Sequence, residues 1–231
     1  IIEIAPAWSP DGSQIAFVRG SLVAGDIYVM DADGSNSTRI TELPGGHPAW
    51  SPDGSQIAFG GGGDIYVMNA DGSNVRQLTN VEGYDGGPFI SPDGNWVVFR
   101  SDRKKSEYLQ IHVIGIDGKN DLALTDTNGV NWAPFWHPHE PYIIWTGADH
   151  SDPKARPNYD LWLMKYEIRD GRFHGHPPVR VTDHAAGDVL PVFSPDGKKI
   201  AFVSERSGSR QVWILPVTGG TAVQVTDHTV G

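Results

Sequence analysis

The sequence predicts an all-β fold, a β-propeller of five four-stranded antiparallel blades, from three observations. One motif recurs five times, each copy holds four short runs with strand-like alternation, and strong turn signals separate the runs. The segment PAWSPDGSQIAF at 6–17 recurs letter for letter at 48–59, and diverged copies follow as PFISPDGNWVVF, PFWHPHEPYIIW and PVFSPDGKKIAF. Their markers Pro10, Pro52, Pro92, Pro138 and Pro195 lie 42, 40, 46 and 57 residues apart. A period of this size, built from antiparallel strands, marks a propeller blade. An incomplete six-bladed propeller is the alternative.

Within each copy, strand a is the Pro-Ala-Trp type triplet and strand b the IAFV type run. Strand c is the alternating DIYVM type run, and strand d is RIT, RQLT, LALT, VRVT or VQVT. Alternation with period two marks half-buried strands, and no stretch sustains a helical period, so helix content should be close to nil. In Ser9-Pro10-Asp11-Gly12 and its copies, Ser and Asp side chains bond the local backbone, Pro fixes φ and Gly supplies positive φ, which joins a to b. Asp31-Ala32-Asp33-Gly34 and its counterparts join c to d. Gly60 to Gly63 reads as a short turn between strands and opens no helix. The whole chain, 1–231, reads as one domain, with blades at about 1–43, 44–82, 83–128, 129–184 and 185–231.

Composition narrows the partners. The net charge of −10 argues against nucleic acid and anionic membranes, which need clustered Lys and Arg, and favours a cation or a basic partner. With no Cys, disulfides and thiolate metal sites are excluded. No apolar run is long enough to span a bilayer. The chain begins and ends inside patterned sequence, as expected for a mature product or an excised piece of something longer.

The WSPDG-type turn, followed downstream by DIYVM, ADGSN and LT, resembles the repeat of TolB-like propellers over essentially the whole chain. Such propellers usually have six blades, and this sequence shows five signatures. The resemblance implies a binding role in bacterial envelope complexes or secreted proteins, hence a periplasmic or extracellular location. Propellers with similar repeats also include oligogalacturonate lyases that use manganese in the channel mouth.

On this topology the a–b and c–d turns share one face, and the d–a and b–c loops share the other, where binding residues concentrate. Three residues before the Pro of strand a stand Glu3, Gly45, Asp85, Asn131 and Asp188. If these gather, Glu3, Asp85, Asn131 and Asp188 offer hard oxygen ligands for Ca²⁺ or Mg²⁺; the alternative is turn-forming residues that face solvent. His47, on the same face, suits a metal ligand or a general base. The long b–c loops at Arg100–Glu107 and Thr146–Asn158 bring Arg100, Asp149 and His150, with Asp152 and Arg156 nearby, and Glu205 and Arg206 join them on the side of blades three to five. His137, His139 and Glu140 occupy an SPDG position and read as structural, while His174 and His176 lie in a hairpin facing solvent. No nucleophile elbow or phosphate-binding loop is present.

The leading reading is therefore a binding module for a protein, a glycan or a small ligand, through His47, Asp85, Arg100, Asn131, Asp149, His150, Glu205 and Arg206. A metal-assisted polysaccharide lyase or hydrolase is the second, with His47, Asp85, His150 and Asp188 as its residues. A recently amplified or engineered scaffold without a ligand is the third, motivated by the verbatim repeat.

Overall fold

A computed structural model describes residues 2–21, 25–104, 108–152, 154, 156–228. The protein is all-β, with no helix among the described residues, and has the five antiparallel blades of a five-bladed β-propeller. Blade one comprises β1 (Glu3–Trp8), β2 (Gln14–Arg19), β3 (Asp26–Asp31) and β4 (Thr38–Arg39). Blade two comprises β5 (Gly46–Trp50), β6 (Gln56–Gly61), β7 (Asp64–Asn69) and β8 (Arg76–Gln77). In blade three these are β9 (Asp85–Ile90), β10 (Trp96–Ser101), β11 (Gln110–Gly115) and β12 (Leu122–Ala123). Blade four has β13 (Gly129–Trp136), β14 (Tyr142–Asp149), β15 (Asp160–Arg169), β16 (Arg172–Gly175) and β17 (Val179–Arg180). Blade five has β18 (Asp188–Phe193), β19 (Lys199–Ser204), β20 (Gln211–Pro216) and β21 (Val223–Gln224). The chain forms two compact units, 1–106 with 112–122, and 107–111 with 123–231.

Two details depart from the sequence reading. Blade four carries a fifth strand, because β15 runs on past its partner β17 and folds back on β16 through a turn at Asp170 and Gly171. Strand a also starts before the motif proline. Pairing continues across a β-bulge whose residue next to that proline, Ala5, His47, Gly87, Ala133 or Leu190, has φ of 51–59°. A left-handed residue there kinks the strand, and in blade five it turns the Leu190 amide onto Thr146 Oγ1 of blade four at 3.0 Å.

The turns form as their residues dictate. Ser9 Oγ donates to Asp11 at 2.7 Å and accepts from the Gln14 amide at 2.9 Å, and Ser51 and Ser194 repeat the pattern. These hydroxyl and amide donors hold the Asp11 and Asp53 carboxyls at a pKa of about 2. In blade four His137 takes the Ser position: Nδ1 accepts from the amides of His139 and Glu140, and Nε2 lies 3.0 Å from the Gly197 carbonyl. It is a structural residue. Gly62 and Gly63, at φ of 60° and 94°, close the β6–β7 hairpin in the conformation that a two-residue turn requires.

The core lies between blade faces. Ala16 and Ile27 pack with Ile57, Phe59 and Met68 across blades one and two, and Val67 packs with Val97, Phe99 and Ile114 across blades two and three. In the second unit Ile144 and Leu161 meet Phe193, Ile200, Phe202 and Leu215. A backbone bond also joins each of blades two to five to the blade before it. The amides of Gly45, Asp85, Asn131 and Asp188 donate to the carbonyls of Gly25, Gly63, Leu109 and Tyr159 in the preceding blade, at 2.7–2.8 Å.

The Thr that ends each strand d has a single recurring role. Thr41, Thr79, Thr125, Thr182 and Thr226 each accept, through Oγ1, the first free amide of strand c, at 2.8–3.0 Å. Thr125→Val keeps the shape and leaves the buried Ile111 amide without its acceptor, so it should destabilise by about 1–3 kcal/mol in urea unfolding. Thr226→Val, where the bond is exposed, should lose less than about 1 kcal/mol. Equal losses would contradict a role set by burial.

Candidate ligand-binding site

The loop face is built from two positions in each blade, the head of strand a and the head of strand c. Register confirms that both stand at one end of the sheet: Asp85 pairs with Ser101 and Asp188 with Ser204, the last residues of their b strands. The decisive property is how each polar head is satisfied.

At the heads of strand a, the chain supplies its own cations. Asp188 is fully buried and receives two bonds from Arg206 Nη2, at 2.8 and 2.7 Å, while the guanidinium lies over the rings of Phe202 and Trp213. Asp85, 1% exposed, is held by Arg103, which also reaches Asp121. Glu3 meets Arg19 at 2.7 Å on the surface. Asn131 is 5% exposed, and its Nδ2 donates to Gln110 Oε1 at 3.1 Å and Thr127 Oγ1 at 2.8 Å, while its Oδ1 accepts Trp145 Nε1 at 2.9 Å. The carboxylates that the sequence offered to Ca²⁺ or Mg²⁺ thus already face guanidinium groups, and a metal ion would have to displace them. Among the described residues, no group of three or more His, Asp or Glu is placed to hold a metal ion.

The other sequence candidates divide between the units. In the first, His47 sits in the bulge of β5, and burial, then the charge of Arg100, pull its pKa from 6.5 to about 4. A neutral imidazole there is a ligand or a weak base. Arg100 donates to the Tyr84 hydroxyl at 3.0 Å. In the second unit, His150 packs edge-on against Tyr108 and Tyr159, and Glu205 bonds Arg210 at 2.9 Å. Asp149, at the end of β14, is exposed and accepts from the amide and hydroxyl of Ser151. Of the two long loops, residues 105–107, 153 and 155 lie outside the described residues.

Within the second unit Asp149 borders a cleft of about 960 Å³ beside blade four. Thr127, Asn131 and Trp145 line it and belong to a network with Gln110, whose Oε1 accepts from the Thr127 amide at 3.2 Å and whose Nε2 donates to the Gly129 carbonyl at 2.9 Å. The cleft walls carry Asp149, Arg156, Asp160, Trp162 and Arg180. Gly147 makes the close approach possible, since a Cβ there would fall 2.8 Å from Asn131 Oδ1 and 2.9 Å from Trp162 Cδ1. A smaller cleft of about 410 Å³, which shares Arg156, Pro157 and Asn158, is bordered by Glu205 and Arg210. The sequence reading found Asn131, Asp149 and Arg156, but missed Asp160, Trp162 and Arg180, which lie on regular strands.

Two outcomes are expected from these environments. Arg206→Met strands a buried carboxylate and should destabilise by about 3–5 kcal/mol, whereas Arg19→Met at the exposed Glu3 pair should stay within about 1 kcal/mol by the same unfolding assay. Because the unfolded chain protonates His47 before the folded one, the stability it contributes is present above about pH 6.5 and declines as pH falls toward 4. His47→Asn tolerates the φ of 53° and should flatten that decline in a Tm–pH profile; parallel profiles would contradict it.

Comparison with known proteins agrees with this architecture. The TolB beta propeller domain matches residues 45–156, and no curated protein matches the chain. A TolB-type protein of Agrobacterium tumefaciens superposes with a TM-score of 0.74 at 24% identity, covering 96% of this chain and 80% of that one. TolB from Acinetobacter baumannii gives 0.73 at 24% identity, covering 94% of this chain and 52% of that one. An oligogalacturonate lyase in complex with manganese gives 0.70 at 17% identity, with 95% of this chain and 64% of that one. The chain thus spans about half of the Acinetobacter protein, and likeness at these identities shows the fold. By the sheets its repeat forms, the chain has the fold of TolB-like β-propellers, and the TolB beta propeller domain matches its residues 45–156.

Proposed function

We propose that this protein is a binding module whose recognition site is the cleft beside blade four. The observation that carries this reading is a cleft of about 960 Å³ whose lining includes the mutually bonded side chains of Thr127, Asn131 and Trp145. Such a lining is rigid before a ligand arrives, so little ordering is lost on binding. The mix of an indole face, two guanidinium groups and carboxylates is that of sites for small polar ligands. A protein partner that inserts a side chain would use the same groups. The periplasmic or extracellular location belongs to this proposal on the strength of the family resemblance.

A metal-assisted lyase or hydrolase is the second reading, favoured by the fold likeness to a manganese-bound oligogalacturonate lyase. It would draw on His47, Asp85, His150 and Asp188, and it requires arginine to leave both carboxylates. Stoichiometric manganese retained after dialysis would favour this reading over the first.

The binding reading is checked by a crystallographic soak with small polar fragments. Fragments should collect against Asp149, Asp160 and Trp162, and Trp162→Ala should remove them. Collection at the SPDG turns, or around His47 instead, would overturn it.

A further inference from the structure

The head of strand c varies from blade to blade, and its satisfaction varies with it. Asp64 has donors on both oxygens, Thr79 Oγ1 at 3.2 Å and Gln77 Nε2 at 2.9 Å. Gln110 and Gln211 are bonded through both of their polar atoms. Asp160, with its side chain 6% exposed, has Arg180 Nη2 on Oδ2 at 2.6 Å, yet its buried Oδ1 has no donor among the described residues. A buried acceptor without a donor destabilises the folded state unless something else supplies one. Asp160 lines the cleft, and Trp162, two residues along β15 on the same face of the sheet, also lines it and is partly exposed.

The surroundings select the donor. A cationic group would meet Arg180 already on the same carboxylate, with Arg156 bordering the cleft. An anion would meet Asp149 and Asp160. Burial pushes the Asp160 carboxyl above the usual range against the pull of Arg180, so added negative charge is disfavoured. A neutral hydroxyl donates to a carboxylate, accepts from a guanidinium and brings no net charge. Carbohydrate rings combine such hydroxyls with an apolar C–H face that an indole can cover. The cleft is near the upper end of the usual ligand range of roughly 300–1,000 Å³, with room for more than one ring.

Resting on the reading of this cleft as the binding site, we infer that its ligand is a neutral carbohydrate that donates a hydroxyl to Asp160 Oδ1 and lies against Trp162. The test follows the Trp162 indole N–H by ¹⁵N NMR, assigned with Trp162→Phe, while maltose, cellobiose and N,N′-diacetylchitobiose are titrated. Digalacturonate and spermidine serve as charged probes. At least one neutral disaccharide should shift the signal saturably and bind at least about tenfold tighter than either charged probe. Asp160→Asn, which keeps an acceptor for Arg180, should fold with an unchanged or higher Tm and weaken that binding at least about tenfold. Trp162→Ala, which removes no buried bond, should weaken it as much and serves if Asp160→Asn fails to fold. A response to digalacturonate or spermidine alone would overturn the sugar class while leaving a binding cleft. Silence toward all five probes, with fragments still seated in the cleft, would do the same. Unchanged affinity in a folded Asp160→Asn variant would overturn the role of Asp160.

Discussion

In blades two to five the head of strand a is buried against the preceding blade and its polar groups must find partners there, and the rest of this structure follows from that constraint. The backbone part is met uniformly, by the amides of Gly45, Asp85, Asn131 and Asp188 that bond the preceding blade. The side-chain part is met in three ways. Gly45 has nothing to satisfy, Asp85 and Asp188 take an arginine each, and Asn131 joins a network of amide and hydroxyl groups. Polar groups closed off from water are stable only when their partners are complete. Sites for ligands are therefore to be sought where a partner is missing, and Asp160 is such a place.

Much of this was legible in the sequence, for a physical reason. Turn chemistry and period-two alternation act over a few residues, so the SPDG turns, the five blades and the all-β class could be read directly. The verbatim repeat at 6–17 and 48–59 made the period plain. Even the structural reading of His137 followed from its place in an SPDG position, where its ring nitrogen substitutes for a serine hydroxyl.

The site was less legible, because it depends on partners distant in sequence. The heads of strand a were identified, but their ion pairs join residues 18 apart in blades three and five. A signal for them exists within the repeat. Ser101-Asp102-Arg103 and Ser204-Glu205-Arg206 occur where strand a begins with Asp, and the corresponding segments of blades two and four, whose heads are Gly45 and Asn131, lack the arginine. In both cases the arginine Nε also donates to that serine hydroxyl, at 3.0 and 3.1 Å. The Thr of strand d was likewise read as strand when its main role is to accept an amide. Attention to loops then missed Asp160, Trp162 and Arg180, whose cleft depends on Gly147, a residue informative only once the approach of Trp162 is seen.

The most direct measurement is a high-resolution crystal structure determined near neutral pH. It should show Arg103 and Arg206 seated on Asp85 and Asp188, and Asp160 Oδ1 accepting a hydrogen bond from an ordered water or a ligand in the cleft. A metal ion on Asp85 or Asp188 in place of arginine, or a protein donor on Asp160 Oδ1 with the cleft closed, would contradict the account.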